Sequence, residues 1–212
     1  PVLNDGQITD VYGRKLGDKL RPGTPLHLYL PGPHRGVFNL DAIKISPEII
    51  LCESLIDALT FWAAGYRHVT ASYGVEGFTP AHLAAFQRYG TERVLIAYDR
   101  DAAGDQAAQA LADKLIAAGI ECFRVRFPKG MDANDYALKV GPAHQSLGLA
   151  LRQAQWLGQG RAPERHVDIE ALIAETATTA PVPAPPPTPA SAPESAPAPL
   201  PSLAALPTAY PA

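Results

Sequence analysis

Residues 93–105 read RVLIAYDRDAAGD, from Arg93 to Asp105. Arg93–Tyr98 is an apolar run of strand-forming residues, the pattern of a buried strand. It stops on charge at Asp99, and an Ala-rich stretch, Ala102–Ala118, follows with helical character until Gly119 closes it. Working upstream, Ile49–Cys52 is a second continuous apolar run. Ser54–Ala64 follows it with Leu55, Leu59 and Trp62 at helical spacing, ended by Gly65. His68–Ser72 reads as a short strand. Thr79–Tyr89 reads as a helix with Thr79 as N-cap and Pro80 at its first position. Downstream, Glu121–Phe127 alternates as a strand, and helices are expected over Asp132–Lys139, Pro142–Trp156 and residues 167–177. Strands alternating with helices at this spacing predict an α/β fold, a mostly parallel sheet with helices on both faces.

The ends of the chain differ in composition from this middle. Residues 1–48 are rich in Gly, Pro and basic residues and read as irregular, with short strands at Leu26–Leu30 and near Ile8–Tyr12. Residues 181–212 hold 12 of the 22 prolines and one charged side chain, Glu194. A Pro/Ala tract of this kind buries too little apolar surface to offset chain entropy, so residues 176–212 are expected to be disordered. The expected organisation is an N-terminal region 1–48, a core domain 49–141, C-terminal helices 142–175 and the tail.

Composition excludes several classes. There is no run of about 18 apolar residues for a membrane span, and PVLNDGQITD lacks the regions of a signal peptide. A cytoplasmic location is expected, and the missing initiator Met points to a fragment or processed product. Cys52 and Cys122 sit in apolar runs and read as buried small hydrophobes rather than a disulfide or a zinc site. Net charge is −3, so a basic nucleic-acid footprint is absent overall. Arg14, Lys15, Lys19, Arg21 and Arg35 still crowd the first 35 residues as a local basic patch.

In open parallel sheets, functional groups gather at the carboxyl ends of the strands. Glu53 directly follows the first core strand, with Asp57 one helical turn on. Asp99 and Asp101 follow the strand at 93–98, spaced so that extended chain puts both on one side with Arg100 elsewhere, and Asp105 lies a turn further. After the last core strand the loop Pro128–Met131 leads to Asp132, Asn134 and Asp135. Taken singly, Asp101, Asp105 and Asp132 read as helix caps. Taken together, Glu53, Asp99 and Asp101 group like charge at neighbouring strand ends, which no capping rule requires. Such grouping is unfavourable without a counter-charge, and a hard divalent cation such as Mg²⁺ provides one.

Here the sequence resembles the Toprim domain, and within that set the DnaG-type DNA primases of bacteria, phages and plasmids. CESLIDALTFWAAGY (52–66), YDRDAAGDQAAQAL (98–111) and PKGMDANDYALKVG (128–141) resemble the three acidic segments of that domain. VYGRKL (11–16) and LHLYLPGPHRGVFNL (26–40) resemble the primase region that precedes it. The resemblance implies a Mg²⁺-dependent nucleotidyltransferase that makes RNA primers on single-stranded DNA from NTPs, with Mn²⁺ able to substitute and a replicative helicase as a partner. Carried over by position, Glu53, Asp99 and Asp101 are catalytic and the principal metal ligands. Asp57, Asp132 and Asp135 are further metal-site carboxylates, and Arg14, His27, His34 and Arg35 are nucleotide or DNA contacts. His27 departs from the Lys frequent in such primases, and Asn134 from an acid. Gly104 allows the tight passage from the aspartate turn into the helix.

Rival readings use the same residues. A Toprim-type nuclease would direct water rather than a 3′-hydroxyl at phosphorus. A non-catalytic Toprim module, as in the RecR group, would bind nucleic acid or protein without metal. A haloacid-dehalogenase-like phosphatase also places D-x-D after an apolar strand, but expects Thr or Val where Ala103 stands. Phe61 and Trp62 are expected in the core, His34 alone would more often be ordinary surface, and Gly74-x-x-Gly77 reads as a turn because the full dinucleotide and GK[ST] fingerprints are absent.

Overall fold

The computed structural model describes residues 1–164 apart from 5, 16–20 and 26. Two short antiparallel ladders come first: β1 (Val2–Asn4) with β2 (Gln7–Asp10), then β3 (Gly13–Arg14) with β4 (His27–Leu28). The core runs α1 (Leu40–Ile45), β5 (Glu48–Cys52), α2 (Leu55–Ala63), β6 (Val69–Ala71), α3 (Pro80–Tyr89), β7 (Arg93–Ala97), α4 (Ala102–Ala117), β8 (Glu121–Arg124), α5 (Ala133–Lys139), α6 (Ala143–Arg152) and β9 (Gln155–Trp156). The sheet order is β6-β5-β7-β8-β9. Its first four strands are parallel and β9 pairs antiparallel with β8.

Strand periodicity sorts the core into two layers. Ile50, Cys52, Leu95 and Phe123 face α2, α5 and α6, packing against Leu55, Phe61, Leu147 and Leu151. Ile49, Leu51, Val94, Ile96 and Cys122 face α1, α3 and α4, against Ile43, Phe86, Leu111 and Leu115. Each of these large apolar side chains contributes about 1.5–3 kcal/mol by leaving water. Helices thus cover both faces, as a parallel sheet requires. Both cysteines are buried and free, as expected. Among the described residues no helix is long and apolar enough to cross a membrane.

The start of α3 follows the sequence closely and adds a partner. Thr79 caps it and Pro80 occupies the first turn. His82 Nδ1 accepts from the Thr79 backbone N–H at 3.1 Å, while Nε2 donates to the Ala71 carbonyl at 3.0 Å. The ring therefore ties α3 to the end of β6.

Four expectations need correction. Among the described residues of the 1–48 region, the strand expected near Ile8–Tyr12 is present as β2, and β1, β3 and α1 are added to what its composition suggests. The short helix carries no side-chain cap, because Asn39 instead donates to the carbonyls of Arg67 and Val69 at 2.9 and 2.8 Å. The strand expected over 26–30 pairs only at His27–Leu28. On α2 the inward stripe is Leu55, Ala58 and Phe61. Leu59 and Trp62 face outward, Trp62 being 43% exposed beneath the Arg67 guanidinium, 3.5 Å from its ring centroid. Finally, the helix expected to reach Trp156 ends at Arg152, and Trp156 packs on Phe123 as part of an edge strand. The tail at 176–212 and the helix expected over 167–177 lie outside the described residues.

Candidate functional site

The two edges of the sheet treat charge differently. At the amino edge the first residues of β5, β7 and β8, namely Glu48, Arg93 and Glu121, lie side by side in register. Arg93 donates to Glu121 Oε2 through Nε at 2.8 Å and to Glu48 Oε2 through Nη1 at 3.3 Å. Opposite charges there compensate one another.

The carboxyl edge instead gathers acids. The chain leaves β5 for β6 on one side and later returns to lay β7 on the other, so β5 and β7 flank a topological switch point. Glu53 follows β5, and the Asp99 backbone N–H donates to its Oε2 at 3.4 Å. Asp57, one turn into α2, is 3% exposed and accepts from Ser54 Oγ at 2.6 Å. The Asn134 backbone N–H donates to Asp57 Oδ1 at 3.4 Å, and its side chain to Thr60 Oγ1 at 2.9 Å. Asp132 is drawn in by the loop that carries it. The Arg100 backbone N–H donates to Met131 O at 3.3 Å, and the Gly130 N–H to Arg100 O at 3.0 Å.

Glu53, Asp57, Asp99 and Asp132 line one cleft of about 280 Å³ with Arg14, His27, Tyr29, Tyr73 and Ser54. Burial, followed by the charge of Asp99, pushes the Glu53 carboxyl up to about 7. Burial together with Asp132 and Asp99 raises Asp57 to about 7, against the hydrogen bond from Ser54. Burial followed by Asp132 and Asp101 raises Asp99 to about 6. These acids repel one another and are incompletely solvated.

The other expected site residues divide. Arg14 and His27 line the same cleft as the acids. Tyr12 OH lies 2.7 Å from His27 Nδ1, and Arg14 Nη1 donates toward Nε2 at 3.4 Å. Burial and then Arg14 lower the His27 imidazole from its ordinary value, so it sits neutral beside the guanidinium. Asp101 is exposed and does not line the cleft. Its Oδ1 accepts from Gly104 N–H at 2.7 Å as the N-cap of α4, so the capping interpretation holds for it. Asp132 likewise caps α5 through Asp135 N–H at 2.6 Å while facing the cleft. Asp135 is paired with Lys139 at 2.8 Å, outside the cleft. His34 stacks on Tyr73 at 4.3 Å, and its Nδ1 lies 3.0 Å from Asp10 Oδ2. Arg35 is exposed, and its carbonyl accepts from Thr9 and Tyr73 hydroxyls.

The donor set suits a hard cation. The acids offer oxygen, and both thiols are buried in the two core layers. Among the described residues no three His, Cys, Asp or Glu groups converge into a protein-only cage. Mg²⁺ does not require one, since it commonly keeps several waters and takes one or two carboxylates with substrate phosphates.

Sequence reasoning passed over Ser54, Tyr29, Tyr73 and, beneath the site, Arg124. Arg124 is 3% exposed. The available signal was an Arg between Phe123 and Val125 inside the run ECFRVRF, where only a strong compensating network tolerates a buried guanidinium.

Residues 50–137 match the Toprim-like family. Over 200 residues the chain is 30% identical to a DNA primase of Halalkalibacterium halodurans, an alignment covering 84% of this chain and 32% of that one. A solved DnaG catalytic core superposes with TM-score 0.60 at 25% identity, over 74% of this chain and 52% of that one. A DnaG primase catalytic domain bound to single-stranded DNA superposes with TM-score 0.59 at 24% identity, over 72% and 49%. The parallel sheet with acids at its switch point is a Toprim-like domain. Over that domain and the region before it, the chain is similar to DnaG-type DNA primases. The chain spans about a third of the length of its Halalkalibacterium relative, at 32%.

Proposed function

We propose that this chain is the catalytic Toprim portion of a Mg²⁺-dependent primase-like nucleotidyltransferase that makes RNA primers on single-stranded DNA. The observation that carries this is the cleft in which Glu53, Asp57, Asp99 and Asp132 face Arg14. Glu53 and Asp99 are the principal metal ligands, with Asp57 and Asp132 beside them. Asp101 and Asp135 act from the rim, Asp101 through the turn it caps. The bound cation would neutralise the incoming triphosphate and assist departure of pyrophosphate.

The remaining work falls to the chain's own residues. Arg14, in the same cleft, holds nucleotide phosphate by charge-assisted hydrogen bonds. His27, uncharged and held by Tyr12, orients Arg14 and supplies less positive charge than a Lys there would. Arg35, exposed upstream, contributes to template binding by charge alone. His34 braces Tyr73. The template and NTPs are the substrates, and a replicative helicase is a fitting partner in the cytoplasm. A relative's catalytic domain with single-stranded DNA bound supports the template assignment.

The test is incorporation of labelled NTP on single-stranded DNA by the parent, Glu53→Gln and Asp99→Asn. Loss of one such carboxylate is expected to cost on the order of 10²-fold or more. Undiminished incorporation by either variant overturns the assignment. Mg²⁺- or Mn²⁺-dependent DNA cleavage without NTPs would instead place the site among the nucleases.

A further inference from the structure

We propose that Arg124 is the positioning residue for the aspartate turn, setting the direction of Asp99 toward the bound cation from beneath the sheet, with Asp105 as its anchor. The inference rests on the metal-site reading above.

The guanidinium sits in the last position of β8, buried, under the point where β7 ends. Nη1 donates to the carbonyls of Tyr98 at 2.8 Å, Val125 at 3.1 Å and Ile96 at 3.3 Å. Nη2 donates to the Asp99 carbonyl at 2.8 Å and to Asp105 Oδ1 at 3.0 Å. One side chain therefore grips the Ile96 carbonyl of β7 and the Tyr98 and Asp99 carbonyls just past its end, the last that of a cleft acid, and is itself held by α4. Asp105 also receives Arg100 on its other oxygen.

This arrangement exceeds what packing needs. Carbonyls at a strand end are ordinarily satisfied by water or by the next strand. Here a charge is buried on the side of the sheet that holds Ile96, Tyr98 and Cys122, at a desolvation cost that only a full set of partners offsets. Lys cannot substitute, because a point ammonium does not span the two sides of the fork. The turn is also closed from above. Gly104 N–H is tied to Asp101, and a Cβ at Gly104 would come within 2.4 Å of the Asp99 carbonyl oxygen. Asp99 thus has its backbone fixed on both sides while its carboxylate is left for the cleft. Partners that orient metal ligands in this way typically govern affinity without touching the metal.

The experiment measures Mn²⁺ binding by calorimetry on the full chain, for the parent, Glu53→Gln, Arg124→Lys, Asp105→Asn and the double variant. Each is checked for folding by circular dichroism and for Gly104 amide exchange without metal. Arg124→Lys is expected to weaken Mn²⁺ binding about tenfold to a hundredfold and to speed Gly104 exchange. Asp105→Asn, at a half-exposed position that leaves the sheet intact, is expected to weaken binding less, and the double variant no more than Arg124→Lys alone. Folded Arg124→Lys or Asp105→Asn proteins that bind Mn²⁺ like the parent overturn the inference while the metal site stands. If Arg124→Lys does not fold, Asp105→Asn alone decides. A parent that binds no Mn²⁺, or binds it unchanged after Glu53→Gln, overturns the site reading and the inference with it.

Discussion

The Asp99 backbone N–H points at Glu53 Oε2 from 3.4 Å, so acids from neighbouring strands share one wall of the cleft. That contact is a single weak offset to the repulsion between them. Its size relative to burial shows in the raised carboxyls of Glu53, Asp57 and Asp99.

Metal-free protein is therefore expected to lose stability as the pH rises. The three carboxyls hold their protons to about 7, 7 and 6 in the fold, against ordinary values of 4.5, 3.8 and 3.8. Between about 4 and 7 the folded chain binds more protons than the unfolded one, so stability is full below that window and falls through it. Glu53→Gln should flatten the fall and stabilise the apo protein at pH 8 by roughly 1 kcal/mol, after discounting for solvent screening. Thermal unfolding in a chelator at pH 5 and pH 8 reads this, and a melting temperature that rises over that range contradicts it.

Mg²⁺ should reverse the loss. A ligand at a hundred times its dissociation constant adds about 2.7 kcal/mol, some 5–10 °C for a domain of this size. The gain should be large at pH 8, small at pH 5 where the acids are protonated, and absent in Asp99→Asn. Equal gains at both pH values would count against carboxylate ligation.

Gly104→Ala should be costly where another glycine is not. Its methyl would meet the Asp99 carbonyl at 2.4 Å, whereas one at Gly13 meets nothing within 4 Å. Overpacking of this kind costs about 1–3 kcal/mol. Urea midpoints should fall for Gly104→Ala and stay near the parent for Gly13→Ala.

His82 should work in the opposite pH sense to the acids. Burial lowers its imidazole to about 4 from 6.5. Its contribution is complete above 6.5 and is lost as the pH falls toward 4. His82→Ala removes the partner of the Ala71 carbonyl and half of the α3 cap, at roughly 2–4 kcal/mol. A midpoint shift under 0.5 kcal/mol would show that the ring is only filler.

The parts of the fold legible in sequence were those with local signals. The apolar run at 93–98, Thr79-Pro80 and Gly119 each determine their own backbone, and the structure places β7, α3 and the end of α4 there. Asp57 was found because one helical turn from Glu53 is a local relation. What was misjudged depends on distant partners. α1 was hidden because Asn39 spends its side chain on residues 67 and 69. The inward face of α2 keeps Phe61 as expected but takes Ala58 in place of Leu59 and Trp62, because α5 and α6, far along the chain, decide which side is covered. His34 finds its partner 24 residues away in Asp10, and Arg124 in carbonyls at and just past the end of β7. No periodicity announces such pairings.

The row of Glu48, Arg93 and Glu121 has a practical consequence. Four parallel strands send every chemically equipped loop to one rim and leave the opposite rim with turns alone, including the one at Gly119, whose φ of 83° closes α4. Because the charges on that rim already satisfy one another, it is the place to attach a fluorophore or surface tether. A label between Ala118 and Glu121 would report on the molecule from the far side of the sheet and leave the approach to the cleft clear for template and nucleotide.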